Sequence, residues 1–244
     1  MKAMRLDKYL TKAEGMSRSE AKQILKKGRV TLDGERVTRP ETKIDAETAK
    51  ICVDGRPCVY EEYTYLMFYK PKGLITATED AREKTVTDWI GEDARGLFPV
   101  GRLDKDTEGL LLLTNDGAMA HELLAPGRHV DKRYYAVLDG AVGEKEQKQF
   151  AQGLDIGEKR PTMPAVLEPA LDGSEKYAVY ITIKEGKYHQ IKRMAKAVGR
   201  KVLYLKRVSM GSLTLAPELS PGQYRPLTEK ELAGLIRLTR LERS

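Results

Sequence analysis

Hydrophobic positions recur with two different periods along the chain, and the switches between them predict its elements. Leu6, Leu10 and Ala13, with Tyr9 beside them, fall at helical spacing and predict a short amphipathic helix. Ser17, followed three residues on by Glu20, reads as a capping box opening a second helix, with Ala21, Ile24 and Leu25 on one face and Gly28 as its stop. Val30 and Leu32 alternate with polar residues ahead of Asp33-Gly34, a strong hairpin turn, and Ile51-Cys52-Val53 ahead of Asp54-Gly55 repeats the pattern. These elements predict a unit of about 60 residues, close to the lower limit for independent folding, with its exit at Glu61-Glu62.

Beyond that exit the pattern predicts strands at Tyr65–Tyr69, Leu110–Thr114, Tyr135–Leu138, Tyr177–Ile183 and Val202–Leu205. Helices are expected at Met119–Leu124, Lys145–Gln152 and Gln190–Val198, and Thr228 with Glu231 is a further capping box opening a helix to about Leu241. Strands outnumber helices, and several adjacent strands have no helix between them. That favours an α+β fold with a mixed, largely antiparallel sheet flanked by helices over a purely parallel one. The expected domains are residues 1–60 and 61–244.

Charge changes the picture. The 244 residues carry 43 Lys+Arg against 36 Asp+Glu, a net charge of +7. Residues 1–40 hold a net +6 and residues 184–207 a net +8, so the remainder sums to −7. Two basic segments on an otherwise acidic chain suggest two surfaces for one polyanion. The longest aliphatic run is Leu110–Leu113, far short of the roughly 20 residues that cross a bilayer, so no membrane partner is expected. Residues 1–10 have no apolar core of the kind a secretory signal needs, and Cys52 and Cys58 read as reduced thiols, so a cytoplasmic protein is expected. The three histidines have no zinc-ligand spacing, and no metal is expected.

The candidate chemistry starts from absences. No two glycines stand at G-x-G spacing, and there is no phosphate-binding loop, nucleophile elbow or H-E-x-x-H. Hydride transfer, nucleotide hydrolysis and zinc proteolysis are therefore disfavoured, and no cofactor is expected. The densest polar cluster runs from Gly101 to Gly109 ahead of Leu110–Thr114 and contains Arg102, Asp104 and Asp106. A carboxylate held there beside a cation stays ionised and can act as nucleophile or base. A second cluster, Glu185–Met194, joins a strand to a basic helix, with one cation free to aim at the Asp loop. In a third, Arg133-Tyr134-Tyr135, alternation sends the two tyrosines to opposite faces, one to the core and one free to stack on a base.

Together these residues resemble a known family. Arg5-Leu6-Asp7-Lys8-Tyr9-Leu10, Ser17–Ala21 and Gly28–Gly34 resemble the S4-type RNA-binding domain. Gly101-Arg102-Leu103-Asp104 through Asn115-Asp116-Gly117 is similar to the signature of the RsuA family of ribosomal RNA pseudouridine synthases. Lys70-Pro71-Lys72-Gly73, Arg133-x-Tyr135-x-Val137 and Gly186-x-x-His189-Gln190-Ile191-Lys192-Arg193 match further motifs in order. The resemblance implies isomerisation of uridine to pseudouridine, with Asp104 as the essential aspartate, Tyr135 against the target base and Lys192 paired with the aspartate.

Arg102, next to Asp104, is a candidate for filling the space left by a flipped base or gripping phosphates. Arg5, Lys8, Arg18, Lys22, Lys26, Lys27 and Arg29 are candidate backbone contacts of the small domain, and His189, Gln190 and Arg193 of the larger one. The expected partner is ribosomal RNA or an assembling ribosomal subunit, met by a monomer. Tyr224–Thr228 inclines the resemblance towards small-subunit enzymes over large-subunit ones. A non-catalytic ribosome-assembly factor is the competing class, distinguished by whether Asp104 is dispensable. An RNA methyltransferase lacks support without a glycine-rich methyl-donor loop.

Overall fold

A computed structural model of the chain describes residues 3–46, 48–60, 63–170, 175–239 and 241. It divides into two compact units, Met1–Glu62 and Tyr63–Ser244. The expected exit at Glu61-Glu62 lies outside the described residues.

In the first unit, strand β1 (Ala3–Arg5) leads into α1 (Leu6–Ala13), which buries Leu6, Tyr9 and Leu10 at helical spacing. Helix α2 (Arg18–Lys26) opens on the expected capping box: Ser17 Oγ accepts from the Glu20 amide at 3.2 Å, and the Ser17 amide donates to Glu20 Oε2 at 2.7 Å. Strands β2 (Val30–Leu32), β3 (Glu35–Arg36), β4 (Lys43–Asp45), β5 (Ile51–Val53) and β6 (Arg56–Pro57) follow. They form a four-stranded sheet in the order β3-β2-β5-β6 and a separate β1-β4 pair. Both two-residue turns have left-handed backbone at both positions, with φ of 52° and 91° at Asp33-Gly34 and 51° and 77° at Asp54-Gly55. That is the geometry whose twist matches paired antiparallel strands. The Tyr9 hydroxyl donates to the Cys58 carbonyl and accepts from the Tyr60 amide, each at 3.0 Å, which ties α1 to the end of the unit.

The second unit runs β7 (Tyr65–Lys70), α3 (Val86–Ile90), β8 (Phe98–Pro99), β9 (Glu108–Thr114), α4 (Gly117–Leu124), β10 (Lys132–Leu138) and α5 (Glu144–Gln152). It continues through β11 (Val166–Pro169), β12 (Ala178–Ile183), α6 (Gln190–Ala197), β13 (Val202–Met210), β14 (Leu213–Thr214), β15 (Tyr224–Pro226) and α7 (Glu229–Thr239). The main path of its sheet is β11-β12-β10-β13-β9-β7-β15. Along that path every pairing is antiparallel except β9 with β13, where Glu108 faces Lys206 and Gly109 faces Arg207. At that junction a Cβ on Gly109 would sit 2.2 Å from the Arg207 carbonyl oxygen, so only glycine lets the two strands meet.

Strands β7 and β9 are apolar on both faces. Leu66, Phe68, Leu111 and Leu113 enter one core with α3, α5 and α6, while Met67, Leu110 and Leu112 enter another with α4 and α7. Strand β10 alternates buried and half-buried residues, as a sheet covered on one face does.

Strands β1, β4, β8, β11, β14 and β15 have no counterpart in the sequence expectation, β10 starts at Lys132 rather than Tyr135, and three further elements differ. Helix α7 ends at Thr239 and Leu241 is not helical. Strand β13 continues past Leu205 to Met210, because Lys206-Arg207 alternate across the sheet with Arg207 buried. A charged pair disguises that alternation. Helix α3, only five residues long, is held by a Thr85–Asp88 capping box too short to give a periodic pattern.

Candidate active site

The Asp loop is fixed from below by a lysine. Lys70, at the end of β7, is 0% exposed, and its Nζ donates to the carbonyls of Pro71 (3.1 Å), Asp104 (3.1 Å), Lys105 (3.4 Å) and Thr107 (2.9 Å). Burial lowers its pKa to about 8. Thr76 Oγ1 clamps the residue before Asp104, donating to the Leu103 carbonyl at 2.7 Å and accepting from its amide at 3.1 Å. The Gly73 amide donates to the Lys105 carbonyl at 2.8 Å. The backbone around Asp104 is therefore held on several sides, which leaves its side chain to project in one direction.

Helix α6 supplies the opposing charge. Lys192 Nζ lies 2.9 Å from Asp104 Oδ2 and 2.5 Å from Asp106 Oδ1, and His189 Nε2 lies 3.6 Å from Asp104 Oδ1. Burial opposes ionisation of both Lys192 and Asp106. Burial is the largest single influence on each, but hydrogen bonding and charge attraction together outweigh it, from Asp106 and Asp104 on Lys192 and chiefly from Lys192 on Asp106. The Lys192 ammonium is therefore held above its ordinary pKa and the Asp106 carboxyl below its own. The Asp104 side chain is 27% exposed at the wall of a cavity of about 1130 Å³. That cavity is also lined by Arg102, Lys132, Tyr134, His189, Lys192 and Arg207.

Asp104, Lys192, Arg102 and His189 thus meet in one place, and Tyr135 does not join them. Strand alternation sends Tyr135 to the opposite face, where it packs edge-on against Tyr180 (centroids 5.6 Å apart) and Tyr204 (6.2 Å). Tyr134, its neighbour, lines the cavity instead and is 7% exposed. Alternation separates the two tyrosines but does not say which face carries the cavity, and it is Tyr134 that lines it.

Gln190 and Arg193 are engaged within the protein. Gln190 is buried, donating to Glu185 Oε1 at 3.0 Å and accepting from the Lys187 amide at 2.9 Å. Arg193 donates to Glu158 Oε1 at 2.7 Å, to the Tyr188 carbonyl at 3.1 Å and to the Ile156 carbonyl. Both fix the loop that delivers His189 and Lys192.

In the first unit Lys8, Arg18, Lys22, Lys26 and Lys27 are exposed. Arg5 is held by Asp7 at 2.7 Å, and Arg29 Nε donates to Asp54 Oδ1 at 2.8 Å, so these two guanidinium groups have internal counter-charges. Sequence reasoning gave no role to Lys132 and Arg207, quoted Lys70 only within the motif Lys70-Pro71-Lys72-Gly73, and set Tyr134 beside Tyr135 before the resemblance pointed to Tyr135. Lys70 had a signal, since a lysine closing an apolar strand directly before Pro71 has a buried stem.

Comparison with known proteins adds to this geometry. Residues 64–197 match the family model described as RNA pseudouridylate synthase, and residues 4–49 match the S4 domain. An uncharacterized RNA pseudouridine synthase of Bacillus subtilis, YtzG, is 46% identical over 94% of this chain and 97% of its own length. The ribosomal small subunit pseudouridine synthase A of Escherichia coli K12 is 40% identical over 96% of this chain and 100% of its own. A crystal structure of a pseudouridylate synthase superposes with a TM-score of 0.66 at 37% identity, covering 95% of this chain and 99% of that one.

Proposed function

Since the chain belongs to the RNA pseudouridylate synthase family and carries an S4 domain, we propose that it isomerises a uridine of small-subunit ribosomal RNA, with Asp104 as its catalytic carboxylate. The observation that carries the residue assignment is the ion pair between Lys192 and Asp104, 2.9 Å long, at the wall of a cavity large enough for a nucleotide. The choice of small-subunit RNA rests on the likeness to the Escherichia coli enzyme over nearly the full length of both chains. The RNA substrate supports work in the cytoplasm.

The reaction breaks the bond from N1 of uracil to C1′ of ribose and remakes it from C5. A stacked uridine cannot reach Asp104, so the nucleotide must turn out of its helix into the cavity. Arg102, exposed at the rim beside Asp104, fills the vacated space or holds a flanking phosphate. The Asp104 carboxylate then adds to C1′ or takes the proton from C2′. Lys192, 2.9 Å from the carboxylate, supplies its counter-charge in either case. Tyr134 lies where it holds the detached base by stacking while the ring turns. The exposed lysines and Arg18 of the first unit track the RNA backbone.

The test is tritium release from RNA labelled at C5 of uridine, since joining C5 to the sugar expels that hydrogen. Transcripts of small- and large-subunit RNA are compared, naked and partly assembled with ribosomal proteins. Release from small-subunit substrates alone is expected. Release from large-subunit RNA alone would redirect the substrate, and binding without release from any of them would make the protein an assembly factor.

A further inference from the structure

Among the described residues, three buried side-chain atoms have no hydrogen-bonding partner: Nη2 of Arg207, Oγ1 of Thr107 and Oε2 of Glu122. Glu122 is ion-paired with Arg128. The other two line the cavity that holds Asp104. An unused donor of a buried guanidinium is costly in an apolar setting unless a ligand satisfies it.

Arg207 is 1% exposed, and its Nε donates to the Leu110 carbonyl at 2.7 Å, which fixes the guanidinium on the sheet. It pairs in register with Tyr134 across β10 and β13, so both belong to the same patch of cavity wall. Lys132 is 8% exposed in the same wall. Burial lowers its pKa and the Arg207 charge lowers it further, so the two cations feel each other, and Asp131 offsets only part of this. Two opposed buried cations with a spare donor form a site for an oxygen that carries, or gains, negative charge.

We infer that Arg207 is a further catalytic residue, whose Nη2 hydrogen-bonds a carbonyl oxygen of the flipped uracil and stabilises the charge that gathers there as the base leaves the sugar. This rests on the reading of the site as a pseudouridine synthase. When the C1′–N1 bond breaks, its electron pair stays with the ring and spreads from N1 onto O2 and O4. That holds whether Asp104 adds to C1′ or removes the C2′ proton. The ring turns, C5 bonds to C1′, and Asp104 is released or returns its proton to C2′. The proton that C5 loses is balanced by the one N1 gains, so no co-reactant is needed.

The test compares Arg207→Met with wild type in single turnover on small-subunit RNA, reading product by nuclease digestion and chromatography. A loss of about 100-fold in rate is expected, the scale for removing one preorganised donor, with RNA affinity within about twofold. Replacing uridine by 5-fluorouridine makes the ring a better leaving group. Its C5 has no proton to lose, so the rearranged ring keeps the fluorine and takes up water at C6. The rate is read as disappearance of 5-fluorouridine, where the loss should shrink to about tenfold or less. Arg207→Lys keeps the charge on a single nitrogen, which can turn to the Leu110 carbonyl or to the base but not to both. It should melt like wild type and remain at least about tenfold slow.

Wild-type rates in either variant would overturn the inference. An equal loss on both bases would mean that Arg207 only braces the β9–β13 junction. Weaker binding with unchanged turnover would mean that it grips a phosphate. If wild type converts neither substrate, the reading of the site itself fails, and the inference with it.

Discussion

In the first unit Lys8, Arg18, Lys22, Lys26 and Lys27 stand on the surface, while in the second Lys70 and Arg207 are sealed at 0% and 1% exposure. The exposed set is hydrated, and it attracts a polyanion by number and position, with counterion release setting the strength. The sealed set is costly to bury and persists because each member is tied to defined acceptors: Lys70 to four loop carbonyls, Arg207 to Leu110. Lys192, at 27% exposure and paired with two carboxylates, stands between them. On the proposed reading, the same charge serves RNA binding where it is exposed and the building or chemistry of the site where it is buried, and the two uses separate in experiments.

The largest expected effect is at the intermediate lysine. Lys192→Met leaves Asp104 and Asp106 facing each other without their shared cation. Single-turnover rates should fall by about 100-fold with RNA affinity nearly unchanged. A parallel loss of affinity would break the comparison, because Lys192 would then be acting like the surface lysines.

Lys70 gives the next effect, and it has a sign in pH. Its folded pKa of about 8 lies below the ordinary 10.5, so the folded chain sheds the proton first. Between those values the unfolded chain binds more protons, and stability rises with pH. Denaturant melts of wild type and Lys70→Met should show wild type gaining on the variant from about pH 8 to 10.5. The variant itself should be less stable throughout, since four carbonyls lose a donor. A gap that does not change with pH would contradict the buried, proton-shedding lysine.

The smallest effect belongs to the exposed set. Substituting Lys22, Lys26 and Lys27 together by Ala should weaken RNA binding and flatten its salt dependence by about 2 in log–log slope, at ~0.7 per phosphate contact on single strands. The saturated rate should not change. A fall in that rate would give these lysines a part in chemistry.

This division also explains what the sequence revealed. Elements with uninterrupted periodicity and local caps were legible: α1, α2 with its Ser17–Glu20 box, and the two Asp-Gly hairpins. Asp104 and Lys192 were singled out by the resemblance of their motifs to a known family, since polar density alone reads equally as a surface turn, and the structure brings the two within 2.9 Å. The buried cations were not, because charge reads as surface. Arg207 inside β13 shortened the predicted strand, and nothing local marks Lys132 as buried. Tyr134 and Tyr135 differ only in which face of β10 each occupies, a matter settled by pairing with β12 and β13 across long sequence separations. Gln190 and Arg193 share the basic segment with Lys192, yet their partners Glu185, Glu158 and Ile156 lie elsewhere on the chain, so their internal roles appear only in three dimensions.

The central claim is that Asp104 performs the isomerisation. The most direct measurement is tritium release from small-subunit RNA labelled at C5 of uridine, with wild type and Asp104→Asn side by side at saturating enzyme. Asn keeps the shape and removes the charge, so the account predicts release with wild type, none with the variant and equal binding of RNA by both. Release by Asp104→Asn at a rate near wild type would contradict it.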